Sequence, residues 1–158
     1  MARNFFYLVP HIVLESKYVD VSIAAVLRAV CSEKFKPQFT REIIVADADG
    51  AEVSIALTVN IGGSLESIAG WSVALMMHSV RIDGIDHEFE YLTSDGKEAQ
   101  GWHRHVWSES LQEADTCKIP IEGFDDCATL ENFLFRISRA MNITWNRADN
   151  ADLFEVKN

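Results

Sequence analysis

The segment Trp102-His103-Arg104-His105-Val106-Trp107 holds the residue types in this chain best suited to chemistry. Histidines two apart on a strand project from one face, leaving Trp102, Arg104 and Val106 on the other. Two neighbouring imidazoles suit either of two chemistries. Beside carboxylates they form a general acid/base pair, because a carboxylate orients a histidine and raises its pKa toward neutrality. Beside other neutral imidazoles they offer nitrogen ligands to Zn²⁺ or another borderline metal. The choice depends on how this strand pairs with the one before it.

Residues 70–107 read as three strands joined at Asp83-Gly84 and Asp95-Gly96, both dipeptides suited to tight hairpin turns. A turn at Asp83-Gly84 pairs Ile82 with Ile85, Val80 with His87, His78 with Phe89 and Met76 with Tyr91. Arg81 then faces Asp86 across the strands, and the opposite charges support that register. His78 and His87 share one face. A two-residue turn at Asp95-Gly96 pairs Phe89 with Trp102 and His87 with Arg104, and sets His103 opposite Glu88 and His105 opposite Asp86. The candidate catalytic set is then His103, His105, Glu88, Asp86 and Arg81. It would serve a ribonuclease-like hydrolase in which Arg81 or Arg104 stabilises phosphate charge. One extra residue in the turn flips the parity. His78, His87, His103 and His105 would then gather as a metal set, with Zn²⁺ as the ion. Burial of Phe89 against Trp102 favours the first register. The same residues also have a plain structural reading as solvated charge pairs.

The remaining elements must position this surface. Asn4–Val9 is aromatic and β-branched and reads as a first strand ended by Pro10. Ile23, Val26, Leu27 and Val30 repeat at helical spacing within a helix over 20–33, capped by Asp20 or Ser22. Arg41–Ile61 reads as a hairpin turning at Asp49-Gly50, pairing Ala48 with Ala51, Ala46 with Val53 and Ile44 with Ile55. The acidic run at this turn lacks ligands at the first and last positions of a calcium loop, Val45 and Ala56. Residues 61–70 read as a loop, with Ser64 able to start a single helical turn. Residues 108–116 read as a loop or short helix. Residues 117–121 read as an edge strand, since Pro120 cannot donate to a central ladder. Leu130, Phe133, Leu134, Ile137 and Met141 mark a final helix over 127–141, with acids before it and Arg136 and Arg139 near its end. From Asn146 the tail frays or adds a strand. The fold expected is one α+β domain over 1–158, a mostly antiparallel sheet of five to seven strands with the two helices on one face.

A net charge of −10 argues against a nucleic-acid backbone as main partner, because phosphate binding needs clustered Lys and Arg. It suits docking onto a protein partner. Cys31, Cys117 and Cys127 are odd in number and form no C-x-x-C, so a disulfide framework and a cysteine zinc site are both unsignalled, and a reducing cytosol is expected. No apolar stretch approaches the ~20 residues that span a bilayer. No nucleophile-elbow, H-E-x-x-H, Walker A or dinucleotide fingerprint is present. The four tryptophans read as core.

Residues 83–143 run through a strand, a D-G turn, Gly101-Trp-His-Arg-His-Val-Trp107, Ile119-Pro120-Ile121 and a Leu/Phe helix ending in Met141-Asn142-Ile143. In that order they are similar to a loose group of small bacterial proteins, some encoded in toxin–antitoxin or mobile-element loci. The resemblance implies a phage-defence or toxin–antitoxin setting and brings no catalytic residues with it. The first functional expectation is therefore a small cytoplasmic binding or regulatory protein acting on a macromolecular partner, without a cofactor. The hydrolase and the histidine metal site are the alternatives.

Overall fold

The computed structural model describes residues 6–30, 38–62 and 68–147. The chain is α+β, with a six-stranded antiparallel sheet, a small parallel pair and three helices. In chain order the elements are α1 (Val9–Leu14), β1 (Lys17–Val19), α2 (Ile23–Val30), β2 (Gln38–Ala46), β3 (Glu52–Asn60), β4 (Ser72–Met77), β5 (Val80–Leu92), β6 (Glu98–His105), β7 (Lys118–Pro120), α3 (Leu130–Ala140) and β8 (Ile143–Trp145). The large sheet runs β2-β3-β4-β5-β6-β7, and β1 pairs with β8 in parallel. No helix among the described residues is long and apolar enough to cross a membrane.

One face of the sheet carries Ile43, Val45, Ile55, Leu57, Val73, Leu75, Ile85 and Trp102. These pack with Ile23, Val26 and Val30 of α2 and Phe133, Leu134 and Ile137 of α3 into one core. Trp71, Trp102 and Trp145 are buried in it. Both α2 and α3 begin later than the expected 20 and 127, because their caps sit later. Ser22, not Asp20, accepts from the Ala25 N–H at 3.0 Å, while Asp20 holds Arg41 at 2.7 Å. Thr129 caps α3 through the Asn132 N–H at 3.1 Å. Asn142 follows α3 with φ of 56°, the left-handed conformation that ends helices. Residues 31–33 of the helix expected over 20–33 and the tail beyond 147 lie outside the described residues.

The N-terminal strand is corrected. Residues 6–8 form a 3₁₀ turn and Val9–Leu14 a helix, with Pro10 inside its first turn. Proline lacks the N–H that the first turn leaves unpaired anyway, so it opens this helix instead of closing a strand. The following strand, β1, starts with a buried lysine. Lys17 Nζ donates to the carbonyls of Val13 (2.9 Å), Glu15 (2.7 Å) and Met141 (3.0 Å), tying the ends of α1 and α3 together.

The hairpin turns also differ from expectation. Between β2 and β3 the register is Val45 with Val53 and Ile43 with Ile55, one residue away from the expected pairing. The Asp47 carboxylate accepts from the N–H groups of Asp49 and Ala51, both at 2.9 Å, and Gly50 takes φ of 81°. A three-residue turn with a glycine bulge replaces the two-residue one, so Ile44 points to solvent and Ile43 inward. The turn expected at Asp83-Gly84 falls instead at His78-Ser79, with φ of 50° and 64°. Asp83 and Gly84 lie inside β5, opposite Leu75 and Ala74. The expected pairs of His78 with Phe89, Val80 with His87 and Met76 with Tyr91 are therefore absent from the sheet. Arg81 and Asp86 belong to one strand, not to facing strands. The turn misleads because buried Asp83 has a stronger partner than solvent, the partly buried Arg104 guanidinium.

Candidate metal centre

Strands β5 and β6 bring four polar side chains together on the sheet face opposite the helices. Asp86 and Glu88 project there from β5, and His103 and His105 from β6, with Asp86 and His103 paired directly. The other face fixes this parity. Trp102 is 4% exposed and stacks on Phe133 with ring centroids 5.1 Å apart. Arg104 grips Asp83 through two bonds of 2.9 and 2.8 Å and donates to the Ala140 carbonyl at 3.0 Å. A one-residue slip would pull both side chains out of the core, so burial of Trp102 aims the imidazoles away from it.

These imidazoles are not solvated: His103 is 0% exposed and His105 3%. The connection from β6 to β7 folds back over His105, and the Tyr91 ring lies against His103. In that connection the Ala114 N–H donates to the Arg81 carbonyl at 3.0 Å, and Nδ1 of His105 meets the carbonyls of Ala114 and Asp115 at 3.0 and 3.2 Å. Nδ1 of His103 faces the Gly101 carbonyl at 3.2 Å. A carbonyl oxygen only accepts, so in both rings Nδ1 carries a proton and Nε2 is the atom that faces the carboxylates, with either a second proton or a lone pair.

Nε2 of His105 lies 3.2 Å from both oxygens of Asp86. Nε2 of His103 lies 3.2 Å from Glu88 Oε1 and closer still to Asp86 Oδ1. The His105 approaches have hydrogen-bond geometry, which a protonated Nε2 would satisfy. Nε2 of His103 has no aligned partner among the described residues. A lone pair held against a carboxylate in a buried site is unfavourable unless a cation, a proton or a metal ion, lies between them. Burial alone would push the Asp86 carboxyl up, yet the two imidazoles outweigh it and hold Asp86 well below the usual carboxylate range.

Two of the spacings match a metal polyhedron, while the His103–Asp86 approach is shorter than ligands on one ion stand apart. One donor atom from each of Asp86, Glu88, His103 and His105 lies within 4.8 Å of the others. Ligands around tetrahedral Zn²⁺ at about 2.0–2.1 Å stand roughly 3.4 Å apart. The 3.2 Å separations from His103 to Glu88 and from His105 to Asp86 are close to that value. Nδ1 bonded to a backbone carbonyl is also the outer support that metal-ligating histidines almost always have.

Further groups ring the cluster. Lys118 Nζ lies 2.9 Å from Glu88 Oε1. Arg81 is 4.0 Å from Asp86 and 3.6 Å from Asp115. The Tyr91 ring lies over His103 with centroids 4.1 Å apart, and its buried hydroxyl has no hydrogen-bond partner among the described residues. Two bulges in β5 make this possible. The ladder shifts between Leu75 and Met76 and between Glu88 and Tyr91, so Arg81 and Tyr91 reach the face of the even-numbered Asp86 and Glu88.

His103, His105, Asp86, Glu88 and Arg81 thus come together as the sequence predicts, but through other pairings. His103 faces Asp86 and His105 faces Gly84, a slip of two residues that preserves parity. The expected Phe89–Trp102 contact is absent, and Phe89 is 71% exposed. The four-histidine metal set is corrected. His87 lies on the helix face, its ring 5.1 Å from that of Trp102, and burial pushes its pKa down. His78 sits exposed in the turn between β4 and β5. The group that could hold a metal is instead two imidazoles and two carboxylates, His103, His105, Asp86 and Glu88. Sequence reasoning passed over Tyr91, Lys118 and the carbonyls of Ala114 and Asp115. Only Lys118 left a signal, its place on the edge strand beside β6.

Comparison with family models, with curated proteins and with solved structures finds no match for this chain.

Proposed function

We propose that this protein binds one divalent transition-metal ion, of the class of Zn²⁺, through Asp86, His103 and His105, with a Glu88 oxygen at the fourth side. One observation carries the reading: two buried Nε2 atoms converge on the same two carboxylates, within metal-ligand reach, while both Nδ1 atoms are committed to backbone carbonyls. Mixed nitrogen and oxygen donors suit Zn²⁺, Fe²⁺, Co²⁺ or Ni²⁺ better than the all-oxygen sites of Ca²⁺ or Mg²⁺. The ion would replace the repulsion between lone pairs and carboxylates with four attractive contacts. Through His105 it would also fasten the connection between β6 and β7 to the sheet.

The acid–base reading of the same residues has less support. A general base must reach its substrate's proton, and both rings are buried, His105 beneath the Ala114–Asp115 backbone and His103 against the Tyr91 ring. A macromolecular partner is supported by the net charge of −10 alone.

The test is calorimetric titration of chelator-treated protein with Zn²⁺, joined to elemental analysis of the dialysed complex. One ion per chain is expected, with binding lost in Asp86→Ala and His105→Ala. A wild-type protein that retains no metal, or variants that retain it fully, would remove this reading.

A further inference from the structure

The four donors of the proposed centre are unequal. The Glu88 side chain is 37% exposed, against 17% for Asp86, 0% for His103 and 4% for His105. Its Oε1, the oxygen turned toward His103, also accepts from Lys118 Nζ at 2.9 Å. An oxygen already neutralised by an ammonium is a weak ligand for a second cation, and an exposed carboxylate gives up little by turning to water. Asp86, by contrast, is fixed between both imidazoles.

Beside His103, the neighbour of Glu88, lies an unsatisfied donor. Tyr91 is 6% exposed, its ring lies against His103, and its hydroxyl is unpaired among the described residues. It lies within electrostatic reach of both Glu88 and Asp86. A buried hydroxyl without a partner costs about 1–3 kcal/mol, and such groups persist mainly where something else supplies the acceptor. Arg81 adds positive charge beside Asp86.

Resting on the metal reading above, we propose that the Glu88 corner is an exchangeable coordination position that takes the oxygen of a small oxyanion, a carboxylate or phosphate group. Lys118 Nζ and the Tyr91 hydroxyl are its donors. Three fixed protein ligands with one exchangeable position is the arrangement of metal sites that act on a bound molecule, whereas four fixed ligands only hold structure together. An incoming oxyanion replaces Glu88 as the partner of Lys118 and gives Tyr91 its acceptor. No bond is made or broken in the step beyond ligand exchange at the metal.

The experiment uses the full chain loaded with Co²⁺, whose visible spectrum reports coordination number and ligand exchange. Inorganic phosphate and acetate are titrated in separate arms, which distinguishes a phosphate from a carboxylate ligand. A saturable spectral change with at least one of them is expected. Lys118→Gln and Tyr91→Phe should each weaken that anion about ten-fold or more while Co²⁺ affinity stays within about three-fold, the loss of one charged or buried hydrogen bond. Glu88→Gln should keep Co²⁺ with at most a ten-fold loss. A Co²⁺ spectrum indifferent to both anions, or a Glu88→Gln loss of 100-fold or more in Co²⁺ affinity, would identify a closed four-ligand site and overturn the proposal. Failure to bind Co²⁺ at all would instead strike the metal reading itself, and this inference with it.

Discussion

Asp86 is the residue on which the metal reading can be put to a quantitative test, because its carboxylate touches both Nε2 atoms. A ligand that binds only the folded state stabilises it by RT ln(1 + [L]/Kd), about 2.7 kcal/mol at a hundred-fold excess over Kd. In a domain of 150–250 residues each kcal/mol moves Tm by about 2–4 °C, so Zn²⁺ at that excess should raise Tm by roughly 5–11 °C. Asp86→Asn keeps the shape of the side chain but removes the charge and one metal-binding oxygen. Loss of a supporting group around a metal typically costs 10–100-fold in affinity, and loss of a ligand should reach at least the upper value. The same Zn²⁺ concentration then lies near Kd, where stabilisation is about 0.4 kcal/mol and the rise about 1–2 °C. Differential scanning fluorimetry of chelator-treated protein reads both numbers. His78→Ala and His87→Ala are the controls, and both should retain the full shift, since neither ring belongs to the cluster. No Zn²⁺-dependent rise in the wild type, or a full rise in Asp86→Asn, would refute the argument. A shift lost in His87→Ala but kept in Asp86→Asn would point to a different set of donors.

Two further outcomes follow from buried charges away from the centre. Arg104→Met leaves Asp83, 1% exposed, without its guanidinium and should cost about 3–5 kcal/mol in urea unfolding, whereas Asp83→Leu combined with Arg104→Met should recover much of that loss. Equal losses in the single and double variants would show that Asp83 was not left as an uncompensated charge. Lys17→Met strips three carbonyls of their donor and should cost about 2–4 kcal/mol. Burial lowers the Lys17 pKa from 10.5 to about 8, so between these values the unfolded chain binds a proton that the folded one lacks. Wild-type stability should therefore rise with pH across that window relative to Lys17→Met, and parallel pH profiles for the two proteins would contradict it.

The two candidate surfaces depended on a single parity, and the residue that set it was visible from the start. Trp102 could only be buried, which sends His103 and His105 to the opposite face whatever the details of the turn. The partner proposed for it was wrong, Phe89 in place of Phe133 and Phe124. The result survived because any large apolar surface on the helix side exerts the same pull. Asp86 and Glu88 followed from the same alternation on β5.

Amphipathic periods and residue chemistry, which are local properties, were legible in the sequence alone: the α+β class, the apolar stripes of α2 and α3, the edge position of β7, and a face shared by two imidazoles and two carboxylates. Turn geometry and bulges were decided only in the folded chain. An Asp-Gly pair can form a turn or lie within a strand, and Asp83 stays in β5 because Arg104, distant in sequence, neutralises it in the core. The bulges that turn Arg81 and Tyr91 toward the cluster likewise leave no period to read. Burial of His105 came from the Ala114–Asp115 backbone closing over it, a contact between residues about ten apart that no strand or helix pattern encodes.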